Sequence, residues 1–527
     1  MSMPVETELS PDESPVVTAE PIGPPTRIAP RSNRRNFFIA GAAAAAASVS
    51  ALAVVTKKSP RNPVGDPGMA GPSSAPALND TEAWGSTEIR LARRITNGLT
   101  PDEAFLAKTK GFNGYLEYHL NPAAIDDSAV DTFVSTTYPQ LGLQGVDLYL
   151  LDSGMLQRQL QEATLFRAAF SKRQLYERMV EFWSDHFNIA IAEVAYLKML
   201  DDREVIRKNA LGNFPDMLRA SAHSAAMLVY LNNNTSRFPK VNENYARELM
   251  ELHTLGVDGG YTQTDVSEVA RCLSGWTIKG KGDFNFDATG HDFGAKTFLG
   301  NNIPAAPGTG AAAVAEGDKV LNVLATHPNT AKYIAKKMSM WLLRYDPPQA
   351  LIDQVAATYL STGGNIPAMI RVILTPANVV AAPSKHKRPF HFVTSALRGL
   401  NPTVKGVASI AGSRLSLLGH QSFFWATPDG YPDKVQFWSG LVMQRWNFGD
   451  FITALTTGEI VVDPTPFMTV NTPDGVTASI NTMMFGGEMP ARTRTALKTY
   501  LAGGTLNAAR VRETLALAIN SSTFQWY

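Results

Sequence analysis

A chain of 527 residues with 44% hydrophobic content carries enough apolar material for one large folded domain or two or three ordinary ones. Its formal net charge of +1, from 48 basic and 47 acidic residues, excludes nucleic-acid binding by bulk electrostatics, so no nucleic-acid partner is expected. The single cysteine, Cys272, excludes an intramolecular disulfide framework and a cysteine-rich zinc site.

Residues 1–30 are rich in Pro, Glu, Ser and Thr and read as disordered. Arg34 and Arg35 then precede a mildly apolar, alanine-dominated run from Ile39 to Val55, closed by Lys57 and Lys58. Paired arginines before such a run resemble a twin-arginine export signal, and Ala51-Leu52-Ala53 fits a small-x-small cleavage site. Retention as a membrane anchor through residues 37–55 is the alternative, since the run is near the lower limit of a spanning helix. Export across the cytoplasmic membrane is expected, with the translocation machinery as a transient partner. Pro, Gly and Ser crowd the next stretch. The expected organisation is a disordered and signal region over 1–56, a linker over 57–83 and a helical domain over 84–527.

From Trp84 onward helical periodicity dominates. Helices are expected over 87–97 and 101–120, the second with Thr100 as N-cap and Pro101 in its first position. Further helices are expected over 147–170, 172–190 and 243–255, and from Thr262, where Asp265 completes a variant capping box. A short hairpin or irregular insert is expected near 276–300, and a Gly/Pro/Ala-rich loop at 301–314. Helices resume at 315–326, 329–345, 349–361 and 366–374. An aromatic-rich loop occupies 405–450, and helix returns over 490–519. The fold class is mostly α, a large multi-helix domain.

The densest chemistry lies between Asn242 and Gly256. At about 100° per residue, Asn244, Arg247, Glu248 and Glu251 share one stripe of that helix, and Tyr245, Leu249 and Leu252 form an apolar one. Carboxylates one turn apart repel unless a cation or proton lies between them, and Arg247 or a divalent metal can fill that place. As a functional site, Glu248 and Glu251 are ligands or an acid/base pair positioned by Asn244 and Arg247. As structure, the stripe is an ion-pair network. His253 projects roughly 160° from Glu251, so one metal cannot take both.

This stretch resembles the signature of the bacterial domain of unknown function 1800 family. Other segments agree with that family in order: Arg90-Leu91-Ala92-Arg93-Arg94, Trp183-Ser184-Asp185-His186-Phe187-Asn188, Gly275-Trp276-Thr277, His291-Asp292, His327-Pro328, Phe392 to Arg398, and Pro428-Asp429-Gly430-Tyr431-Pro432. The resemblance covers roughly residues 85–520. It implies an exported bacterial protein, often encoded beside a second exported family that resembles sulfatases, and it supplies no catalytic residues.

Three further places carry chemistry. His186 ends an apolar stripe with Leu175, Met179 and Phe182, either as a core histidine or as a ligand or base in a dry pocket walled by Trp183 and Phe187. His291 and Asp292 lie in a glycine-rich loop, as speculative metal ligands or as loop-closing hydrogen-bond groups, with Lys296 either stabilising developing negative charge or, the favoured reading, solvated. His420, Phe423, Phe424, Trp425, Tyr431, Phe437 and Trp438 form an aromatic loop that either binds a cell-envelope polymer or caps the core. No Gly-x-Ser-x-Gly, His-Glu-x-x-His, phosphate-binding Gly-Lys-Ser/Thr or Cys-x-x-Cys-His occurs. The leading expectation is an exported enzyme, a metal-assisted hydrolase or oxidase whose site gathers Glu248, Glu251, Asn244, Arg247 and His186. The alternative is a non-enzymatic envelope or polymer-binding protein in which the polar helix is structural.

Overall fold

Several helices in this chain begin where the sequence offers a side-chain acceptor to the free N–H groups of a first turn. Ser86 accepts from the Ile89 amide ahead of helix Thr87–Ile95. Thr100 accepts from Glu103, with Pro101 in the first turn of helix Pro101–Leu120. Thr262 and Asp265 form a reciprocal capping box at helix Gln263–Cys272. A computed structural model describes residues 84–305 and 310–527. The export signal, the possible 37–55 anchor and the 57–83 linker lie outside the described residues.

The expected mostly α class holds. Helices are joined by three antiparallel two-stranded sheets among the described residues. The insert near 276–300 is a hairpin, Trp276–Lys279 with Asp283–Phe286, paired from Trp276↔Phe286 to Lys279↔Asp283. Several boundaries differ from expectation for local reasons. The stretch 147–170 divides, because Asp152 caps a new helix, Ser153–Phe170. The stretch 490–519 breaks at Gly503 and Gly504, and Asn507 caps a second helix, Ala508–Asn520. Helix Gln174–His186 ends at His186, earlier than 190.

The polar helix is the larger correction. It is α-helical only over Asn244–Glu248 and continues as a π-helix over Leu249–Thr254. The Leu255 amide donates to Met250 and the Thr254 hydroxyl to Leu249, each five residues back. The regular 100° wheel therefore stops applying at Glu248, and His253 and Thr254 are turned into the core.

Two large apolar clusters fill the interior. One gathers Ile89–Leu120, Leu175–Leu231, Tyr245–Leu273 and Val320–Val379 side chains. The other is built mainly from residues between Phe390 and Phe524, with Val130, Val134 and Phe166. Helix Pro389–Leu400 is buried at every position, the pattern of a helix enclosed on all sides. Charges on and just before it reach the first cluster. Arg398 Nη2 lies 3.1 Å from Glu103 Oε2, and Glu103 also accepts from Tyr115 and lies 3.0 Å from His119 Nε2. Burial raises the Glu103 carboxyl, but the bond and charge of His119 and the charge of Arg398 outweigh it and hold it below its usual range. Among the described residues no helix is long and apolar enough to cross a membrane.

Replacing Glu103 with Gln leaves Arg398 buried without its counter-charge, and we expect a loss on the order of 3 kcal/mol in urea unfolding at pH 7. A carboxyl held low in the folded state stabilises above its unfolded value and loses that effect as pH falls. The wild-type advantage over Glu103→Gln should therefore shrink on acidification below the ordinary carboxylate range. An unchanged difference from pH 7 to pH 3 would refute the assignment.

Candidate functional site

Two of the sequence segments singled out above meet in space. Asp185 and His186 close helix Gln174–His186, and Asn188 just beyond it donates its amide to the carbonyls of Trp425 at 3.0 Å and Thr427 at 2.7 Å. This pins the 421–433 loop to the helix end. Gly430, at φ 73°, rests on the Asp185 backbone so closely that a Cβ there would lie 2.1 Å from the Asp185 carbonyl oxygen. Only glycine supplies both the left-handed backbone and that clearance.

The result is a cleft of about 150 Å³ lined by Asp185, His186, Lys337, Trp341, Asp429 and Tyr431, among others. Helix Pro328–Leu342 presents Tyr333, Lys337 and Trp341 along one face, at four-residue spacing. Arg388 forms the cleft's inner wall. Its Nη1 lies 2.7 Å from Asp185 Oδ2 and its Nη2 2.7 Å from Glu181 Oε1, over the face of Trp341. Beyond Asp185, Arg388 and Tyr431 is a second, smaller cavity of about 30 Å³, the space of a water molecule, reaching Ser184, Asn188 and His420.

Acidities in the cleft are displaced toward neutrality. Burial pushes Asp185 up to about 6, Arg388 opposing and Glu181 adding to the effect. Burial pushes Lys337 down to about 8 against the pull of Asp185 and Asp429. His186 is driven well below its usual value by burial and by the charge of Lys337. Its Nε2 donates to the His253 carbonyl at 3.1 Å, which leaves Nδ1 as an unpartnered acceptor. His253, also buried, falls to about 3 for the same two reasons. Both histidines are thus neutral at physiological pH. The rings of Trp183, Phe187 and Phe214 surround His186.

The residues expected from the sequence are only partly brought together. Arg247 Nη2 lies 3.1 Å from Glu243 and 2.9 Å from Gln263, and Arg247 Nη1 is 3.8 Å from Glu251. Their side chains are 20% exposed for Arg247 and 24% for Glu251, so these are surface pairs of modest energy. Asn244 donates to the Leu231 carbonyl at 3.3 Å. Glu248 and the cleft's Asp429 both act on Tyr230, whose hydroxyl donates to Ala426. The polar helix therefore borders the cleft region through Tyr230 and supports it through His253.

His291 and Asp292 lead elsewhere. His291 Nδ1 donates to the Ser274 carbonyl at 2.7 Å and its Nε2 is 3.3 Å from Glu316, while Asp292 pairs with Arg271 at 2.6 Å. The two adjacent side chains thus engage separate partners. No group of three or more His, Cys, Asp or Glu able to hold a metal occurs among the described residues. The residues thus do not fit the divalent metal expected at His291 and Asp292. Lys296, expected to be solvated, is buried and pairs with Glu316 at 2.6 Å. The aromatic loop mostly caps the core: His420, Phe423, Tyr431 and Trp438 are buried, and Phe437 is 44% exposed.

Sequence reasoning missed Asp185, Lys337, Arg388 and Asp429. Asp185 and Asp429 lie inside family-like segments, where a histidine and aromatic residues beside them carry the stronger sequence signal. Lys337 carries no signal beyond helical spacing, and Arg388, in the non-helical stretch before helix Pro389–Leu400, carries none.

The molecule is a multi-helix domain with a small, charge-lined cleft. Residues 90–526 match the family described as "Protein of unknown function (DUF1800)", and the chain belongs to that family. Neither a curated protein nor a solved structure matches it.

Gly430→Ala should lift the loop from the helix end. We expect a clear drop in melting temperature and the return of Asp185 toward an ordinary carboxylate acidity, read by carboxyl NMR titration. An alanine variant with both values unchanged would show that the close approach is unimportant.

Proposed function

We propose that this chain is an exported enzyme that transfers protons at the Asp185–Lys337 cleft to and from a small polar part of its substrate. One observation carries the proposal: a carboxyl near 6 and an amine near 8 share a single cleft behind Arg388. Acids and bases tuned toward working pH by burial are what general acid–base catalysis requires. Asp185 exchanges the proton, Arg388 holds its carboxylate in place, and the His186 Nδ1 lone pair offers a fixed acceptor. The cleft admits only a few heavy atoms, so the reacting group and its immediate substituents are small. Export rests on Arg34, Arg35 and the apolar run after them. The exported sulfatase-like partner is proposed from family resemblance alone.

The test is turnover of a panel of esters, amides, phosphate esters, glycosides and simple carbonyl compounds by the purified protein. Asp185→Asn should lower turnover by about 100-fold or more per folded molecule, with some loss of melting temperature because Arg388 is left with Glu181 as its counter-charge. Wild-type activity should fall below about pH 6, where Asp185 takes up a proton. Full activity in Asp185→Asn, or no turnover of any panel member, would defeat the proposal.

A second reading has its own support. Phe437, Val442, Met443 and Trp446 are 44%, 47%, 60% and 47% exposed, an apolar strip beside the aromatic loop. Such strips mark contact surfaces for large partners. If the protein is a polymer-binding module, cell-wall material should retain it, and Trp446→Ala should release it. Equal retention of wild type and variant would rule the strip out.

A further inference from the structure

The Lys337 side chain has features that proton transfer alone does not use. It sits half-buried on the cleft face of helix Pro328–Leu342, between Tyr333 and Trp341 in sequence spacing. Its neighbours differ in this respect. Lys385 Nζ lies 2.7 Å from Asp433 and 3.1 Å from the Trp341 carbonyl, and Arg388 is held by two carboxylates. No hydrogen bond or ion pair of Lys337 is of that kind. Its nitrogen feels Asp185 and Asp429 only through the field, with the Tyr333 ring centroid 5.5 Å away. The cleft lining sets apolar Phe182, Met340 and Trp341 among the charges of Asp185, Arg388, Asp429, Asp433 and Lys434. A lysine in a small cleft, free of a fixed counter-ion and sharing that cleft with a carboxyl able to carry its proton, is the arrangement of a nucleophilic amine.

We propose that Lys337 captures a small aldehyde or ketone substrate as an imine, with Asp185 moving the protons. This rests on the reading of the cleft given above and names its substrate class. The chemistry balances within the cleft. The Lys337 ammonium gives a proton to the Asp185 carboxylate, and the free amine adds to the carbonyl carbon. The C=O π electrons move to oxygen, which takes the second ammonium-derived proton to become a hydroxyl. Asp185 returns its proton to that hydroxyl, the C–O bond breaks, and water leaves as the nitrogen lone pair forms the C=N bond. One ammonium and one carbonyl thus give one protonated imine and one water. The small cleft volume limits the carbonyl's substituents to a few heavy atoms, which selects short-chain compounds.

The test is reductive trapping on the full chain. Glyoxylate, pyruvate and acetaldehyde are each incubated with the protein and sodium cyanoborohydride, and adducts are located by peptide mass mapping. We expect one adduct per chain on Lys337, formed at least 10-fold faster than on Lys336, its exposed neighbour. Trapping at Lys337 should slow markedly in Asp185→Asn, and Lys337→Arg should abolish the fast adduct. If Lys337→Arg fails to fold, the wild-type map decides alone. Adducts spread over exposed lysines, with Lys337 no faster than Lys336, would overturn the proposal. Should that occur while Asp185→Asn still removes turnover, the imine fails and the acid–base reading stands.

Discussion

Arg388 is the constraint on which the rest of the structure depends. It is buried, so its charge had to be matched where it lies, and Glu181 and Asp185 match it with two 2.7 Å contacts. Those carboxylates belong to a helix that gives Leu175, Met179 and Phe182 to the first apolar cluster, and Arg388 stands at the threshold of the helix that runs through the second. Removing a partner from such a pair costs far more than the pair contributes, because a bare buried charge remains. The pairing is therefore less a source of stability than a rule about geometry. The two cores have a low-energy arrangement in which this guanidinium reaches both oxygens, and Arg398 with Glu103 repeats the rule at the other end of the same helix.

The same constraint makes the cleft chemically useful. An aspartate facing an arginine is ordinarily a strong acid, held ionised by its partner. Here burial and the second carboxylate of Glu181 outweigh the arginine, and Asp185 remains able to take up a proton near neutrality. The arginine's effect is then mainly orientational. The aromatic surroundings of His186 and His253 have a parallel effect, since they keep two imidazoles neutral beside a lysine and leave a lone pair rather than a charge at the cleft.

Much of the fold was legible because its signals are local. Ser86, Thr100 and Thr262 announce helix starts through their own hydroxyls, and apolar positions recurring every three to four residues identify most helical faces. The class of fold follows from those signals. The π-helical turn at Leu249–Thr254 was not legible, because its sequence fits an α-helix equally well and the wider turn is selected by packing of His253 and Thr254 into the core. The site was legible only as fragments. The carboxylates of Glu248 and Glu251 are dense in sequence, yet both stand only partly buried. Asp185 is alone in sequence and acquires its neighbours, Arg388, Asp429 and Lys337, only through tertiary contact. Charge density along a chain and charge density in space are different quantities, and only the second shifts acidity.

Gly430 pressed against Asp185 has a consequence for the order in which the molecule is made. The contacts that define the cleft join residues 203 positions apart, Asp185 with Arg388, and 237 apart, Asn188 with Trp425. Closing loops of that length is entropically slow to be rewarded, so such contacts form after local helices and nearby pairings. A chain halted before these segments meet would possess its helices and much of its apolar interior, yet have no cleft at all. The cleft is in that sense a certificate of finished folding, and chemistry confined to it cannot begin on a half-made molecule.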